Sequence, residues 1–444
     1  MTKPTKTLVP KLRFPEFQNV GQWDEEPLGE LYAFKVTNSL SRDKLNYAHG
    51  AVKNIHYGDI HTKFSSLFDI QKENVPFINP TESLEKIKQD CYCIEGDMIF
   101  ADASEDLEDI GKSIEIVNLN NERLLSGLHT LLARQKSKKL IIGFGGHLFK
   151  SKHIRKQIQK ESQGSKVLGI SAGRLSDIEV CYPLDKNEQQ KIADCLSSID
   201  ELITAQTKKI AALKDHKKGL MQQLFPLEGE TVPKLRFSEF QDSGGWNEEE
   251  LTKFSECELS NGVFNDPKKV GSGYKLINVL DMFIDTVVDE EKLSLVELSK
   301  NEFSKNKVET GDIFFTRSSL VKSGIAYSNI YVGNSCDITF DGHLIRFRPN
   351  KNILIPMFAN YLLRTTRVRT QLVARGKTAT MTTIGQADVG GVKLTVPDIN
   401  EQQKIAACLT SVDNLITEQT QKIEAYKAHK KGLMQRLFPI DIQE

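Results

Sequence analysis

Apolar residues recur at alternating spacings of four and three positions along two stretches of the chain, 187–226 and 400–439. This alternation is the a/d pattern of a coiled coil. It predicts two long helices that pack against each other in antiparallel orientation along their apolar seams. The seam of the first helix is formed by Ile192, Leu196, Ile199, Ile203, Ile210, Leu213, Leu220 and Leu224. The seam of the second is formed by Ile405, Leu409, Val412, Ile416, Ile423, Tyr426, Leu433 and Leu437.

The two predicted helices are copies of one sequence. Of their 40 aligned positions, 30 are identical without a gap, which indicates an internal duplication rather than a set of short repeats. Gln206 and Gln419 occupy the same mid-seam position, where a polar residue often fixes the register of a coiled coil. The duplication includes an earlier segment, because VPKLRF at 9–14 recurs at 232–237 and Trp23 recurs as Trp246.

Two blocks with little shared sequence, 24–186 and 247–399, lie between the repeated segments. Short runs that alternate apolar and polar residues dominate both blocks and are typical of strands. EGDMIFA at 95–101 is matched by TGDIFFT at 310–316. The predicted fold class is therefore α+β: two α+β domains separated by two long antiparallel coiled-coil helices, with a pseudo-twofold internal duplication. A constant scaffold carrying two diverged domains suggests recognition of two different targets at a fixed separation, as in DNA half-sites.

The predicted domain boundaries follow from this alternation. The first domain with its VPKLRF motif is assigned to 1–186 and the first helix to 187–226. A linker and the second domain occupy 227–399, the second helix 400–439, and a tail 440–444.

The composition is that of a globular protein, with 39% hydrophobic and 27% charged residues in a chain of 444. The longest apolar run, 140–149, is too short to span a bilayer, and the first residues lack the apolar core of a signal peptide. Seven scattered cysteines favour a reducing cytoplasm. Cys91 and Cys93 have no second ligand pair, so no metal site is predicted.

Charge is balanced overall but not locally. The chain has 59 basic and 59 acidic residues, which excludes an indiscriminate polycation. Basic residues nevertheless concentrate in 134–166 and 364–378, each leading into a glycine-containing loop, QGSK at 163–166 and RGKT at 375–378. A solvated basic face would also explain either stretch alone. Their matched positions favour contact with DNA phosphates and base edges. The predicted DNA-binding residues are Arg155, Gln163, Ser165, Lys166, Arg317, Ser319, Arg375, Lys377 and Thr378.

No catalytic residue is predicted. The segments ending in Lys112-Ser113 and Lys377-Thr378 lack the earlier glycine of a phosphate-binding loop. Hydrolase, zinc-protease and methyltransferase motifs are missing from the sequence, and His129 and His343 are interpreted as structural. These observations disfavour a stand-alone methyltransferase or nuclease.

The plan of two variable domains alternating with long repeated helices resembles the specificity subunit (HsdS) of Type I restriction–modification systems. The resemblance covers essentially the whole chain and rests on PKLRF, on GDI/GDM followed by a phenylalanine, on NEQQKIA at each helix entry and on KKGLMQ at its end. It implies a non-catalytic subunit whose two target-recognition domains each read one half of a bipartite, asymmetric DNA site. One departure is that Asp102 stands where the second domain has Arg317.

The resemblance also implies partners, and no cofactor in this chain itself. Two modification subunits that use S-adenosylmethionine would methylate adenine, and two restriction subunits would use ATP and magnesium. A stand-alone DNA-binding coiled-coil scaffold protein is the alternative. The outer helix faces repeat closely, which suggests that the same partner binds twice. The predicted partner-binding residues are Lys191, Lys209, Lys218, Gln222, Lys404, Lys422, Lys431 and Gln435.

Overall fold

The computed structural model describes residues 8–264 and 269–439 and divides the chain into two compact units. Unit 1 comprises residues 1–205 and 423–444, and unit 2 comprises residues 206–422. Each unit thus contains one variable block and half of each long helix. The predicted tail 440–444 lies outside the described residues. Within the described ranges, no helix has the length and apolar character that a membrane span requires.

Unit 1 mixes short strands with short helices. Its strands are β1 (Asp24–Pro27), β2 (Tyr32–Lys35), β3 (Leu45–Asn46), β4 (Lys53–Ile55), β5 (Leu67–Asp69), β6 (Phe77–Ile78), β7 (Met98–Ala101), β8 (Ala103–Ser104), β9 (Ser113–Asn118), β10 (Leu124–Ser126), β11 (Thr130–Gln135), β12 (Leu168–Gly169) and β13 (Glu179–Tyr182). Its helices are α1 (Leu28–Leu31), α2 (Tyr57–Thr62), α3 (Gly145–Leu148), α4 (Lys152–Glu161), α5 (Ala172–Ser176) and the first half of α6 (Lys186–Leu224).

Unit 2 has the same character. Its strands are β14 (Asn247–Glu250), β15 (Ser260–Asn261), β16 (Val270–Ile277), β17 (Ser294–Val296), β18 (Ile313–Thr316), β19 (Ser318–Ser319), β20 (Ser328–Ile330), β21 (Ile338–Phe340), β22 (Leu344–Phe347), β23 (Lys377–Thr378), β24 (Thr382–Thr383) and β25 (Lys393–Val396). Its helices are the second half of α6, α7 (Lys300–Lys305), α8 (Pro356–Leu363), α9 (Thr366–Arg375), α10 (Gln386–Gly390) and the first part of α11 (Ile399–Leu437). The last part of α11, from residue 423, belongs to unit 1.

Each unit is built around the strand that follows the Gly-Asp motif. In unit 1 this strand, β7, is entirely buried in the sheet β2-β11-β7-β9-β5, and in unit 2 its counterpart β18 is buried in β15-β22-β18-β20. The glycine before each strand has a left-handed backbone, with φ of 89° at Gly96 and 100° at Gly311. The following aspartate accepts from an arginine on the neighbouring strand, Arg134 in unit 1. The motif therefore sets the turn into the central strand.

The long helices pack antiparallel within each unit. In unit 1 the Lys430 Nζ lies 2.6 Å from Asp200 Oδ1. In unit 2 Gln206 donates to Gln419, and Lys217 Nζ lies 2.6 Å from Asp413 Oδ1, so position advances on α6 as it recedes on α11. The observed helices begin one residue before the predicted starts and end two residues before the predicted ends. The fold class predicted from the seam is confirmed.

A buried ion pair fastens each VPKLRF motif to the start of a long helix. Arg13 donates to both carboxylate oxygens of Glu188 at 2.7 and 2.6 Å, and Arg236 does the same with Glu401 at 2.8 and 2.7 Å. Burial of both partners makes such charge-assisted pairs directional. We call this arrangement the arginine lock; it explains why the arginine and the helix entry recur together.

The repeated tryptophan and the helix end meet in each core. The Trp23 ring lies 6.1 Å from Phe438 in unit 1, edge to face, and Trp246 lies 6.1 Å from Phe225 in unit 2. Both tryptophans are buried. The LFP ending of each helix thus closes the apolar core of one unit.

Candidate nucleic-acid interface

In unit 1 a hairpin pairs with the segment that follows the central strand β7. After β7 the chain forms β8, whose Ser104 pairs with Leu168 of β12. Gln163 and Gly169 exchange backbone hydrogen bonds of 2.9 and 2.7 Å, which close the turn 163–169. Gly164 has a φ of 136°, and a Cβ there would lie 2.0 Å from the Val167 carbonyl oxygen. Only glycine fits this tight turn.

Unit 2 contains the same arrangement. β19 follows the central strand and pairs with β24, which pairs with β23. Lys377 lies opposite Thr383, as Gln163 lies opposite Gly169 in unit 1. The segments 163–169 and 377–383 are therefore equivalent, and we call them the reading hairpins.

The two loop glycines do not occupy equivalent positions, although the sequence matched QGSK with RGKT. Gln163 corresponds to Lys377, so Gly164 corresponds to Thr378 and Gly376 to Ser162. Gly376 caps α9 with an ordinary negative φ, and a Cβ there would lie 2.8 Å from Thr382 Cγ2. Gly164 is required by the hairpin backbone, whereas Gly376 is required by close packing.

Most of the predicted DNA-binding residues meet on these hairpins. Gln163, Ser165 and Lys166 are exposed on the first, and Lys377 and Thr378 are exposed on the second. Each hairpin also exposes one large apolar side chain: Val167 is 54% exposed and Met381 is 41% exposed. Polar, cationic and apolar groups on one protruding edge are suited to hydrogen bonds and methyl contacts in a DNA groove.

The residue after each central strand lies beside its hairpin and differs in charge. The Asp102 N–H donates to the His129 carbonyl at 3.1 Å, and the Arg317 N–H donates to the His343 carbonyl at 2.9 Å. The two positions are therefore equivalent. Arg317 is exposed, and no described residue hydrogen-bonds its guanidinium. Asp102 instead lies 3.2 Å from the His129 ring nitrogen.

A group of aromatic and imidazole rings adjoins Asp102 and was not predicted from the sequence. His129, with a φ of 54°, places its ring 5.2 Å from the Tyr57 ring. His61 Nε2 lies 3.0 Å from the Ala103 carbonyl oxygen. The side chains of His129 and His343 are 51% and 64% exposed. Both rings are thus partly exposed at this edge, and the interpretation of the two histidines as structural stays a prediction.

Arg155 serves the fold, and we do not retain it as a DNA-reading residue. Its Nη2 donates to the carbonyls of Glu108 at 3.0 Å and Ile110 at 2.6 Å, and burial lowers its pKa from the usual value. Arg369, at the equivalent position of α9, donates to the carbonyl of Ile325 at 2.6 Å. Both arginines hold the loop that follows the central strand.

Four other predicted residues in unit 2 also have intramolecular partners, among them Thr378, whose hydroxyl lies 3.0 Å from that of Thr382. Arg375 donates to the Gly391 carbonyl at 2.7 Å, and Ser319 donates to the Val321 carbonyl at 2.8 Å. Lys377 lies 3.5 Å from an Asp388 oxygen, but its side chain is 78% exposed. Arg317 is therefore better placed than Arg375 to contact DNA.

The two basic stretches do not form continuous positive surfaces. In the first, Arg134 pairs with the buried Asp97 and Lys139 pairs with Glu26. In the second, Arg367 pairs with Glu248 and Arg364 donates to the Ser328 carbonyl. Part of the positive charge is thus neutralised or held inside the fold. Lys166 and Lys377 are exposed on the hairpins, while Lys136, Lys138, Lys152 and Lys160 are exposed outside the first hairpin.

The predicted partner-binding residues separate into two groups. Lys191 pairs with Glu16 at 3.3 Å, and Lys404 pairs with Glu239 at 3.0 Å, so each supports its own arginine-lock segment. Lys422 pairs with Glu418 along the helix at 2.6 Å. The remaining residues are exposed on the helices: Lys209, Lys218, Gln222, Lys431 and Gln435.

Lys218 and Gln222 line a groove of about 700 Å³ in unit 2. Met221 and Phe225 of α6 and Arg367 of α9 also line it. The groove has the size and mixed character that a partner segment could fill.

Comparison with known proteins places this architecture. The family model of the Type I restriction modification DNA specificity domain matches residues 54–215 and again 250–425. The specificity subunit of the type I restriction enzyme MjaX of Methanocaldococcus jannaschii is 30% identical over 44% of this chain and 45% of its own length. The MjaVIII specificity subunit of the same organism is 24% identical over 66% of this chain and 69% of its own length.

A solved structure agrees on the fold. The crystal structure of the Type I restriction–modification S subunit from M. genitalium aligns with 97% of this chain and 99% of its own, with a TM-score of 0.59 and 14% identity. The match to the first curated relative spans less than half of that relative. The family model, by contrast, matches most of this chain, once in each unit. The chain therefore belongs to the Type I restriction–modification DNA specificity family and carries the family's domain twice.

Proposed function

We propose that this chain is the non-catalytic, sequence-specific DNA-recognition subunit of a Type I restriction–modification complex. Each unit reads one half of a bipartite, asymmetric site in double-stranded DNA. The observation that carries this is the pair of reading hairpins. Their strand pairing has the same register, with Gln163 opposite Gly169 and Lys377 opposite Thr383, whereas the exposed side chains differ, as two different half-sites require.

The readout residues are polar residues that lie on the hairpins or beside them. In unit 1 they are Asp102, His129, Gln163, Ser165 and Lys166. In unit 2 they are Arg317, Lys377 and Thr378. Ser319 and Arg375 stabilise the hairpin region through their own intramolecular hydrogen bonds. A free guanidinium such as that of Arg317 suits the two acceptors of guanine in the major groove. Asp102 offers an acceptor, which suits the amino group of cytosine.

The helices set the spacing between the half-sites and dock the partners. Lys218 and Gln222 of α6 recur as Lys431 and Gln435 of α11, which supports binding of two copies of one partner. These partners would be two adenine-methyltransferase subunits that bring S-adenosylmethionine. Two restriction subunits that use ATP and magnesium would complete the full complex.

Methylome sequencing of a host that expresses this chain with its modification subunit tests the proposal. We expect methyladenine in both halves of one bipartite motif. In the Arg317→Ala variant, we expect one position of one half to relax while the other half is unchanged. A continuous motif, or no methylation with an active partner present, would refute the assignment.

The alternative, a stand-alone DNA-binding scaffold, makes a different prediction. It would bind its site with full affinity without a partner. A specificity subunit should need its modification subunits, and native mass spectrometry at saturating partner should detect two of them per chain. A complex that stops at one modification subunit would contradict the docking proposal.

The spacing role has its own test. A matched insertion of seven residues, about two helical turns, beside Gln206 and beside Gln419 keeps the seam in register. We expect a longer non-specific spacer and unchanged half-sites. An unchanged spacer would show that the helices do not measure the distance.

A further inference from the structure

Unit 1 brings together three side chains that can bind a metal ion, away from the reading hairpin. One ligand atom each from Glu25, His153 and Cys181 lies within 4.8 Å of the other two. Glu25 on β1 is the direct cross-strand partner of Cys181 on β13, and Cys181 Sγ lies 3.0 Å from Glu25 Oε1. A cross-strand pair points to the same face of the sheet. His153 is carried over that face by α4.

The position of α4 is fixed by its own hydrogen bonds. Gln157, one turn after His153, donates to the Glu179 carbonyl at 2.9 Å and accepts from the Glu179 N–H at 3.0 Å. The Gln157 amide thus binds both backbone groups of Glu179, the first residue of β13, which lies two residues before Cys181. All three candidate ligands therefore stand on regular elements that hold them in place without a metal ion.

Unit 2 has the same backbone arrangement at this place but different side chains. Glu248 on β14 pairs across the strands with Thr395 on β25, as Glu25 pairs with Cys181. Arg367, second residue of α9 as His153 is of α4, forms an ion pair with Glu248. Both differences replace a residue that does not bind metals with one that does: histidine for arginine and cysteine for threonine. The carboxylate is common to both units.

We propose that Glu25, His153 and Cys181 form a zinc site in unit 1. Carboxylate oxygen, imidazole nitrogen and thiolate sulfur are the three kinds of ligand that zinc takes in proteins. Cys181 is 3% exposed, while Glu25 and His153 are half-buried, so solvent reaches the trio from one side. Water can then complete four-coordination. Binding converts the thiol to a zinc thiolate and releases its proton to solvent.

His153 also contacts Gln157, whose Nε2 lies 3.0 Å from His153 Nε2. Zinc binding would replace the hydrogen bond between Cys181 and Glu25 with a bond from each residue to the metal.

A metal ion at this site would fix the helix that precedes the first reading hairpin. Zinc would tie β1 and β13 to α4, and α4 leads directly into the hairpin at Gln163 while Arg155 holds the loop at Ile110. In unit 2 the ion pair between Arg367 and Glu248 fastens α9 to β14 in the same place. The two units would thus use a metal and an ion pair for one structural task.

The full chain, purified without a tag and stripped with a chelator, should bind one equivalent of Zn²⁺ by mass spectrometry of the metal. Co²⁺ in its place should give the near-ultraviolet thiolate-to-cobalt absorption band that reports a cysteine ligand. Zn²⁺ should also raise the melting temperature. The double variant His153→Arg/Cys181→Thr carries the residues of unit 2 and should lose the equivalent, the band and the thermal shift.

Two further variants keep the test decisive. Cys336→Ser removes an exposed thiol of unit 2 and should leave the metal content unchanged. Cys181→Thr alone serves if the double variant does not fold, and it should abolish the cobalt band. The proposal is wrong if wild type binds no stoichiometric zinc at micromolar concentration. It is also wrong if the double variant folds and retains the metal, or if Co²⁺ binds without the thiolate band.

Discussion

The two units of this chain use one backbone plan. Some of their side-chain contacts are the same in both units, and others differ. The arginine lock, the contact between tryptophan and helix end, and the glutamine that closes each helix entry are the same in both. For example, Gln189 donates to the Pro183 carbonyl at 2.8 Å, and Gln402 donates to the Pro397 carbonyl at 2.9 Å. The reading hairpins and the residue beside each of them differ. The contacts that attach each unit to the long helices are therefore the same in both units. The residues at the exposed hairpins differ between them.

A third class of difference lies inside the units. Glu115 of β9 lies opposite Met98 of the central strand, where unit 2 has Ile330 opposite Ile313. His147 of α3 faces Ser197 of α6, where unit 2 has Tyr361 facing Thr410 of α11. Unit 1 thus buries a carboxyl group and an imidazole, both with shifted pKa values, at positions where unit 2 buries isoleucine and tyrosine. The comparison predicts different responses to mutation and to pH.

The largest expected effect comes from breaking a lock. Arg13→Ala should lower the free energy of unfolding by about 3–5 kcal/mol, because it leaves the Glu188 carboxylate buried and unpaired. Arg236→Ala should have a similar effect through Glu401. Denaturant unfolding followed by circular dichroism measures both. Lys11→Ala and Lys234→Ala, exposed residues of the same motifs, should change little.

The two locks should not be equal. The Trp23 indole also donates to Glu188 at 3.2 Å, whereas the Trp246 indole nitrogen has no hydrogen-bond partner among the described residues. Loss of Arg13 leaves Glu188 the Trp23 indole as a donor, whereas loss of Arg236 leaves Glu401 without a corresponding indole donor, so Arg236→Ala should cost more. Variants that cost less than about 1 kcal/mol would contradict a locking role, since that is the range of exposed ion pairs.

The next effect distinguishes the units by pH. Burial, helped by Lys430, lowers the pKa of His147 to about 4 from 6.5, and burial raises the pKa of Glu115 to about 7 from 4.5. Each shift corresponds to about 3 kcal/mol of stability, with opposite signs. The His147 contribution is complete above pH 6.5 and is lost as pH falls toward 4. The Glu115 contribution is complete below pH 4.5 and is lost as pH rises through 7.

Because these contributions oppose each other in wild type, single variants should separate them. Glu115→Gln removes one, so the stability of unit 1 should fall more steeply than in wild type between pH 6.5 and 4. His147→Gln removes the other, so stability should fall as pH rises from 4.5 to 7. Tyr361→Phe in unit 2 is the control and should leave the slope unchanged. Parallel pH curves for all four proteins would contradict the assignment to these two groups.

How far the sequence predicts this molecule depends on the range of the interactions involved. The seam repeats every few residues, so the helices could be predicted almost to their ends. The role of Arg155 could not, because its acceptors are backbone carbonyls some 45 residues away that leave no mark in composition. Arg317 and Lys377 were predicted separately, and only the pairing of β19, β24 and β23 places them on one edge. Glu25, His153 and Cys181 lie in three distant segments and match no spaced motif.

A smaller effect tests the charge difference at the hairpins. Arg317→Ala should relax one position in the half-site of unit 2 and cost about 1–3 kcal/mol of discrimination. Asp102→Ala should do the same in the half-site of unit 1. The measurement is a binding competition over all substitutions of the motif, with the modification subunits present. Ser319→Ala, whose hydroxyl already donates to Val321, is the control, and it should change no single position.

The smallest effect concerns Lys166, exposed at the tip of the first hairpin. If it contacts a phosphate, Lys166→Ala should weaken binding to all sequences alike and reduce the slope of log affinity against log salt by about one. Lys72→Ala, which removes an exposed lysine after β5, should leave the slope unchanged. A Lys166→Ala variant that altered the preference for one base pair without changing the salt slope would make this lysine a base reader. The first hairpin would then enter the groove more deeply than its polar, uncharged neighbours Gln163 and Ser165 suggest.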